Sequence, residues 1–263
     1  MRPSCAWSAL VFTFSFAAAL VAQNPSSSTS QALPTLQSAF QALSGRTVIN
    51  DVTLTGTAEW IVGSDDETGT VTYKTTGNAS RLDLFLSSGT RSEIRFASTD
   101  GPAGSWISPD GTSHASANHN VMTDPGWFPT FALASLNSSA NTVSTYVGLE
   151  SRNGTSVIHI SATQQFPTIP AKSATRMQHL TQVDFYLDPS TLLPVSYVYN
   201  SHPDGNSLLD IPTEIRYSNY RSVGGAQIPF RVQKFVNNTL ALDLQFQNAS
   251  LNTGVTAAQI QPQ

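Results

Sequence analysis

Residues 183–251 constrain the fold most, because apolar and polar residues alternate there through five successive short runs. Such an alternation gives a β-strand one apolar face and one polar face. The apolar positions are Val183, Phe185 and Leu187; Val195, Tyr197 and Tyr199; Ile211, Ile215 and Tyr217; Ile228, Phe230 and Val232; and Leu240, Leu242, Leu244 and Phe246.

The connections between these runs are typical of tight reversals. Gly224-Gly225 and Asn237-Asn238 are residue pairs that tolerate the positive φ of two-residue hairpin turns. Asp188-Pro189-Ser190-Thr191 suits a type I turn, with aspartate first and proline second. The five runs are therefore predicted to form an antiparallel meander.

The beginning of the chain predicts an exported protein. Arg2 precedes the apolar run Ala9 to Ala22, which is too short to span a bilayer comfortably. This pattern is typical of a signal peptide over residues 1–23, cleaved near Ala22 or Gln23, and it predicts a periplasmic or secreted protein rather than an integral membrane protein. The only cysteine, Cys5, precedes the apolar run, so the mature chain is expected to have no disulfide.

Composition excludes one class of partner. Only 11% of the residues are charged and the net charge is −4, so no basic patch is available to bind nucleic acid.

The chain after the signal peptide divides into a disordered Ser-rich tail at 24–32, a single domain at 33–252 and a C-terminal tail at 253–263. Two short helices are predicted, at Leu33 to Leu43 and at Trp127 to Leu136, whereas 164–176 reads as an ordered loop.

Further strands are predicted before the meander. In one of them Ile94 and Phe96 form the apolar face, and Glu93 and Arg95 form the polar face. A flat sheet of roughly ten to twelve strands, each about 4.8 Å wide, would exceed 50 Å, which two short helices cannot cover. The sheet must therefore curl around the helices, close into a barrel or split into a sandwich.

The C-terminal third resembles the LolA/LolB-like periplasmic lipoprotein-carrier superfamily, whose members are often called outer-membrane lipoprotein-sorting proteins. The resemblance is carried by Val183 to Pro194, similar to the family's strand, Asp-Pro-x-Thr-x-x-Pro turn and strand, and by Tyr217 to Phe230, similar to its Tyr-x-x-Tyr-x-x-x-x-Gly-x-x-x-Pro hairpin. It implies a mainly β (α+β) fold: a strongly curved antiparallel sheet forming an unclosed β-barrel, with two short helices against its concave side.

The resemblance also implies a binding function. Typical members hold acyl chains in the concave groove, so we expect an apolar small molecule or a lipoprotein acyl chain as ligand and another envelope protein as a further partner. The residues assigned to the groove are Trp60, Trp106, Trp127, Phe128, Phe131, Phe185, Leu187, Leu242, Leu244 and Phe246. Ordinary core packing is the alternative for each of them.

No cofactor, metal or catalytic residue is predicted. His114 and His119 with Asp110 and Asp124 match no known metal-ligand spacing. The Gly-x-Ser-x-Gly motif and the phosphate-binding loops are missing from the sequence. A non-enzymatic carrier is therefore the first hypothesis, an envelope interaction module with a filled core is the second, and a secreted hydrolase is the third.

Overall fold

The computed structural model describes residues 25–77, 79–99 and 101–261. The predicted signal peptide at 1–23 lies outside the described residues. The described residues form four α-helices, α1 (Pro25–Ser44), α2 (Asn118–Val121), α3 (Pro129–Ser138) and α4 (Ala171–Leu180), and a short 3-10 helix at Ala257–Gln259. The strands are β1 (Asp51–Val62), β2 (Asp65–Thr76), β3 (Ala79–Leu86), β4 (Gly89–Ser98), β5 (Gly101–Ile107), β6 (Ser113–Ala115), β7 (Thr142–Arg152), β8 (Thr155–Gln164), β9 (Val183–Leu187), β10 (Pro194–Ser201), β11 (Ile211–Val223), β12 (Ala226–Val236) and β13 (Thr239–Leu251).

All thirteen strands belong to one sheet, in the order β6-β5-β4-β3-β2-β1-β13-β12-β11-β10-β9-β8-β7. Each neighbouring pair is antiparallel, and β6 and β7 are the two edges, so the sheet is curved and unclosed. The predicted fold class is therefore confirmed. The five predicted strands of 183–251 are β9 to β13, and they follow one another across the sheet as the meander requires.

The turns that join the meander have the predicted backbone. Asn237 and Asn238 have φ of 48° and 63°, and Gly224 and Gly225 have φ of 58° and 90°. In the turn after β9, the Asp188 carboxylate accepts hydrogen bonds from the backbone N–H groups of Ser190 and Thr191, at 2.9 and 2.8 Å. These short connections fix the register of the hairpins.

Helix α1 lies against the concave face of the sheet. Its buried residues, Ala32, Leu36, Ala39 and Leu43, recur every three or four positions and belong to the main core with residues of β1 and β12. The helix was predicted at 33–43, and it begins earlier, at Pro25, so it includes residues that were assigned to a Ser-rich tail. Pro34 is therefore inside the helix rather than in its first turn.

Two segments have a secondary structure that was not predicted. Residues 164–176 were expected to be a loop, but α4 begins at Ala171, directly after Pro170 at the N-cap. A strand was expected at 114–121, where the structure has the three-residue β6 followed by α2.

The C-terminal segment folds back on β1, since the Asp51 carboxylate accepts hydrogen bonds from the N–H groups of Thr253 and Gly254, at 2.8 and 3.0 Å.

Candidate functional site

A cavity of about 290 Å³ opens on the concave face of the sheet. Most of its wall is apolar. Its lining residues are Trp60 and Val62 of β1, Leu82 and Leu84 of β3, Arg91, Ser92 and Glu93 of β4, Trp106 and Ile107 of β5, Trp127 before α3, Lys234 and Val236 of β12, and Ala241 and Leu242 of β13. The cavity is therefore built from six strands and one loop, and its volume is at the lower end of small-molecule pockets.

The floor of the cavity follows from the strand register. Trp60 is paired with Leu242 across β1 and β13, so both side chains lie on the same face of the sheet. Leu82 and Leu84 alternate with exposed or half-buried residues along β3 and belong to the main core. The apolar positions of the alternating pattern thus continue from the core into the cavity wall.

Three tryptophans surround the cavity, and they are the only tryptophans after residue 23. Trp127 is buried, and its indole N–H donates to Oε1 of Glu93 at 3.0 Å. Trp106 is 43% exposed and stacks on the His114 ring, with the two ring centres 4.0 Å apart. The cavity therefore has a rigid aromatic side at Trp127 and an exposed aromatic rim at Trp106.

Charged side chains interrupt the apolar wall along β4. Arg91 is paired with Leu84, and Glu93 is paired with Leu82 on one side and with Trp106 on the other. Because cross-strand partners share a face, Arg91 and Glu93 point toward the concave side. The residues of β4 alternate as predicted. The face that carries the charged residues, however, points toward the concave side of the sheet and not toward solvent.

Two cations face the cavity against aromatic rings. The guanidinium carbon of Arg91 lies 4.1 Å from the centre of the Trp60 ring, and Nζ of Lys234 lies 5.4 Å from the centre of the Trp127 ring. Burial alone would lower the pKa of Lys234, but interactions with the hydroxyl of Tyr199 and the carboxylate of Glu93 outweigh it and raise the pKa above that of an ordinary lysine. Lys234 is therefore a charged ammonium at neutral pH.

Neither cation is fully satisfied by the protein. Within the part of the chain that the structure describes, Nζ of Lys234 has neither a hydrogen bond nor an ion pair, and Nε of the Arg91 guanidinium is buried without a partner. A buried cationic donor without an acceptor is costly, and an anion bound in the cavity would satisfy Nε of Arg91 and lie beside the partly exposed Lys234.

The loop before α3 positions Trp127. Gly126 has φ of 74°, and a Cβ atom there would lie 2.4 Å from Cδ1 of Tyr197. The Tyr197 hydroxyl donates to the carbonyl of Asp124 at 2.9 Å, and the Tyr217 hydroxyl donates to the carbonyl of Gly126. Burial raises the pKa of Asp124, although the nearby Arg95 opposes this shift. The strands β10 and β11 thus hold the loop through buried tyrosines.

Four of the ten residues that were assigned to the groove line this cavity: Trp60, Trp106, Trp127 and Leu242. The other six do not. Phe185, Leu187, Leu244 and Phe246 are almost completely buried in the main core, and Phe128 packs edge to face on Phe131 with ring centres 5.3 Å apart. Five of these six residues belong to the main core, and the sixth, Phe131, is partly buried and packs against it.

Sequence reasoning missed Arg91, Glu93 and Lys234 as groove residues. Lys234 lies between Ile215 and Leu242 in the sheet, both of which are buried core residues. The signal was present in the meander, because Lys234 continues the inward series Ile228, Phe230 and Val232 at a spacing of two. A lysine in the inward phase of a strand is the observation that could have identified it.

A second cluster of polar residues lies outside this cavity. His179 of α4, His202 after β10 and Asp210 before β11 bring their ligand atoms within 4.8 Å of one another, the one such group among the described residues. The sequence had singled out His114, His119, Asp110 and Asp124 instead. The structure does not gather them: Asp110 accepts from the hydroxyl of Ser108, His114 stacks on Trp106, and His119 contacts the carbonyl of Pro203.

Comparison with known proteins identifies the fold. No protein-family profile and no curated protein sequence matches the chain. Among solved structures, it is similar to a domain described as an outer-membrane lipoprotein-sorting protein from Vibrio parahaemolyticus, with a TM-score of 0.56 and 11% identity over 88% of this chain and 97% of that one. It is also similar to a LolA superfamily protein from Nitrosomonas europaea, with a TM-score of 0.53 and 12% identity over 88% and 97%.

A DUF1329 family protein from Desulfovibrio piger gives a TM-score of 0.57 at 9% identity, over 89% of this chain and 97% of that one. These likenesses extend over most of the chain, so the LolA-like fold implied by the C-terminal third is confirmed for the whole sheet. No helix in the described ranges combines the length and the apolar composition needed to cross a bilayer.

Proposed function

We propose that the protein is an exported, non-enzymatic carrier that binds the acyl chain of a lipid in the concave cavity. The observation that supports this proposal most directly is the cavity itself, which opens between the filled core and solvent and is walled mainly by tryptophan, leucine and valine. A fully filled interior would leave no such wall. Acyl chains lack hydrogen-bonding groups, so an apolar wall with few polar atoms is the environment that they favour.

The size of the cavity limits what enters it. A volume of about 290 Å³ takes a segment of an acyl chain rather than a complete lipid. The exposed rim residues Val62 and Trp106 then contact the part of the ligand that remains outside. We infer that the ligand is an amphiphile. A segment of its acyl chain lies in the cavity, and the rest of the molecule remains in solvent.

The cations of the wall favour an anionic head group. Arg91 and Lys234 both face the cavity and carry donors without protein acceptors, as described above. The facing carboxylate, Glu93, already accepts the indole N–H of Trp127. A carboxylate or phosphate group near Lys234 would therefore supply the missing acceptors, while the chain lies against Leu82, Leu84 and Leu242.

Tryptophan fluorescence gives a direct test, because every tryptophan after residue 23 lines the cavity. The mature protein is titrated with a long-chain fatty acid that carries bromine on its chain, which quenches tryptophan emission on contact. Saturable quenching supports the proposal. Absence of quenching by the brominated acid, at concentrations where the acid remains monomeric, would contradict it.

A matched pair of variants assigns the quenching to the cavity. Val62→Glu places a charge at the rim of the cavity, whereas Val143→Glu places the same charge on β7, away from it. Both valines are exposed, at 49% and 41%, so both variants are expected to fold. Only Val62→Glu should weaken binding, by at least about tenfold; equal weakening by both would speak against the cavity as the site.

The second candidate function is an envelope interaction module, and one observation favours it. Strand β7 is an edge of the sheet, and it exposes Val143, Val147 and Leu149, the last at 65%. An exposed edge strand with apolar side chains is suited to pair with a strand of another protein. In that case Val143→Glu, rather than Val62→Glu, is the variant that would abolish complex formation with a partner protein in cross-linking experiments.

A further inference from the structure

His179, His202 and Asp210 form a cluster that has no part in the proposed carrier function. His179 is in the last turn of α4, and the other two residues are at the ends of the segment that joins β10 to β11. The Oδ1 atom of Asp210 lies 2.9 Å from Nε2 of His179 and 3.1 Å from Nε2 of His202. One carboxylate oxygen is therefore shared by two imidazole rings.

We propose that these three side chains bind a divalent first-row transition-metal cation, of which Zn²⁺ is the representative. Two imidazole nitrogens and one carboxylate oxygen are ligands that such cations prefer over Mg²⁺ or Ca²⁺, which select oxygen ligands. Three protein ligands with a fourth position for water is the usual composition of an open zinc site.

The geometry is close to that of a bound ion. In a tetrahedral site with metal–ligand bonds of about 2.0–2.1 Å, neighbouring ligand atoms are about 3.3 Å apart. The two distances from Asp210 Oδ1 need to lengthen by only a few tenths of an ångström. A ring nitrogen of His179 and one of His202 lie within 4.8 Å of each other, and the half-exposed His179 ring can rotate to close the remaining distance.

The protonation chemistry also fits. In the hydrogen-bonded cluster each imidazole carries its proton on Nε2, because the Asp210 carboxylate can only accept. When a metal binds Nε2, that proton moves to Nδ1 of the same ring. Nδ1 of His202 has no hydrogen-bond partner among the described residues, so it is available for the proton.

The cluster has one rigid and two adaptable members. The His202 side chain is 1% exposed, whereas those of His179 and Asp210 are 45% and 39% exposed. His202 is fixed further by Asn120, whose side chain accepts from the backbone N–H of His202 at 2.9 Å and donates to its carbonyl at 2.7 Å. The open side allows entry of the ion and supplies water to the fourth position. A bound metal would tie α4 to the segment between β10 and β11.

The test is a titration of the untagged mature protein with Zn²⁺, followed by calorimetry, and with Co²⁺, followed by visible absorption. We expect one ion per chain and the d–d bands of a tetrahedral or five-coordinate Co²⁺ site. His179→Gln and Asp210→Asn, both at exposed positions, should each weaken binding by at least about tenfold. The matched control is His114→Gln, which changes a histidine outside the cluster and should bind as the wild type does.

A thermal measurement on the same proteins gives a second readout. Saturating Zn²⁺ should raise the Tm of the wild type and of His114→Gln and should leave the Tm of His179→Gln unchanged. No binding by the wild type, or equal losses in His114→Gln and His179→Gln, would overturn the metal site. The outcome is independent of the fatty-acid titration, because none of the three ligands lines the apolar cavity.

Discussion

The guanidinium of Arg91 on β4 lies against the Trp60 ring on β1, with the guanidinium carbon 4.1 Å from the ring centre, although two strands separate β4 from β1 in the sheet. In a flat sheet these strands would be about 14 Å apart. The curl of the sheet brings the two side chains toward each other over the concave face. Their contact closes one side of the cavity and gives the wall both an aromatic surface and a positive charge.

The first prediction concerns head-group selectivity. Lys234→Met keeps a side chain of similar length but removes the charge, so we expect about tenfold weaker binding of a long-chain fatty acid, or about 1.4 kcal/mol. Binding of the corresponding fatty alcohol should change little. Displacement of a fluorescent fatty acid measures both affinities.

The control for this experiment is Lys74→Met. Lys74 is a lysine of β2 that is paired with Thr53, and it does not line the cavity. The Lys74→Met variant should therefore preserve the preference for the fatty acid over the fatty alcohol. If Lys234→Met also preserved that preference, the charged wall would have no role in selecting the ligand.

The second prediction concerns the loop that carries Trp127. Gly126→Ala requires a non-glycine residue at φ of 74° and places a Cβ atom 2.4 Å from the Tyr197 ring. We expect a loss of at least about 2 kcal/mol in the free energy of unfolding, measured by chemical denaturation. Gly205→Ala, where no atom lies within 4 Å of the added Cβ and φ is not positive, is the matched control and should unfold as the wild type does.

The third prediction is a pH dependence at Glu214. Burial alone would raise the pKa of this carboxyl, but hydrogen bonds and attraction from Arg216 and Arg152 outweigh it and lower the pKa. A lowered pKa in the folded state means that the carboxylate stabilises the fold above its ordinary pKa of 4.5, and that this contribution is lost as the pH falls through the folded value.

Glu214→Gln should therefore be less stable than the wild type at about pH 7, with the difference narrowing below pH 4.5. Urea unfolding across this range measures it. If the difference in unfolding free energy between the wild type and Glu214→Gln stayed constant with pH, the glutamine would be destabilising through its packing, and the ion pairs of Glu214 would contribute nothing.

The fourth prediction has the opposite sign and concerns His159. Burial alone would lower the pKa of its imidazole, but the hydrogen bond and attraction from Asp184, together with Glu150, raise it. The stabilisation is then fully present below the ordinary pKa of 6.5 and is lost as the pH rises through the folded value.

His159→Gln should accordingly be most destabilised below pH 6.5 and should approach the wild type at about pH 9. The same urea experiment, extended to higher pH, tests this expectation. If the stability difference between the wild type and His159→Gln increased with pH, the raised pKa of His159 would be contradicted.

The meander was predictable because each of its signals is local. The positive φ of Asn237 and Asn238 and the alternation along β13 require only neighbouring residues to be specified. Helix α4 was not predictable in this way, because it follows two prolines and Leu180 is its only buried residue, so its burial in the core is slight. Its helical structure depends instead on contacts with β8 and on the hydrogen bonds of His179 and Thr181.

The cavity was predictable only in part. The tryptophans were recognised because large aromatic residues are few, whereas Glu93 and Arg95 were assigned to the polar face of β4 because charged residues usually face water, and Arg91 was not considered. The phase of β4 is set by its pairing with β3, which is a tertiary property. The same limit applies to the metal cluster, since His179 and Asp210 are distant in sequence and meet only in the folded chain.

The pairing of β1 with β13 determines when the binding surface can exist. These strands join residues about 190 positions apart, for example Thr57 and Gln247, and they contribute the neighbouring side chains of Trp60 and Leu242 to the floor of the cavity. A chain still emerging from a ribosome or an export channel holds β1 without its partner. The apolar wall is therefore assembled only after the last strand arrives, so under the proposed function the unfinished protein should not bind its ligand, and truncation before β13 should remove binding together with the pairing of β1.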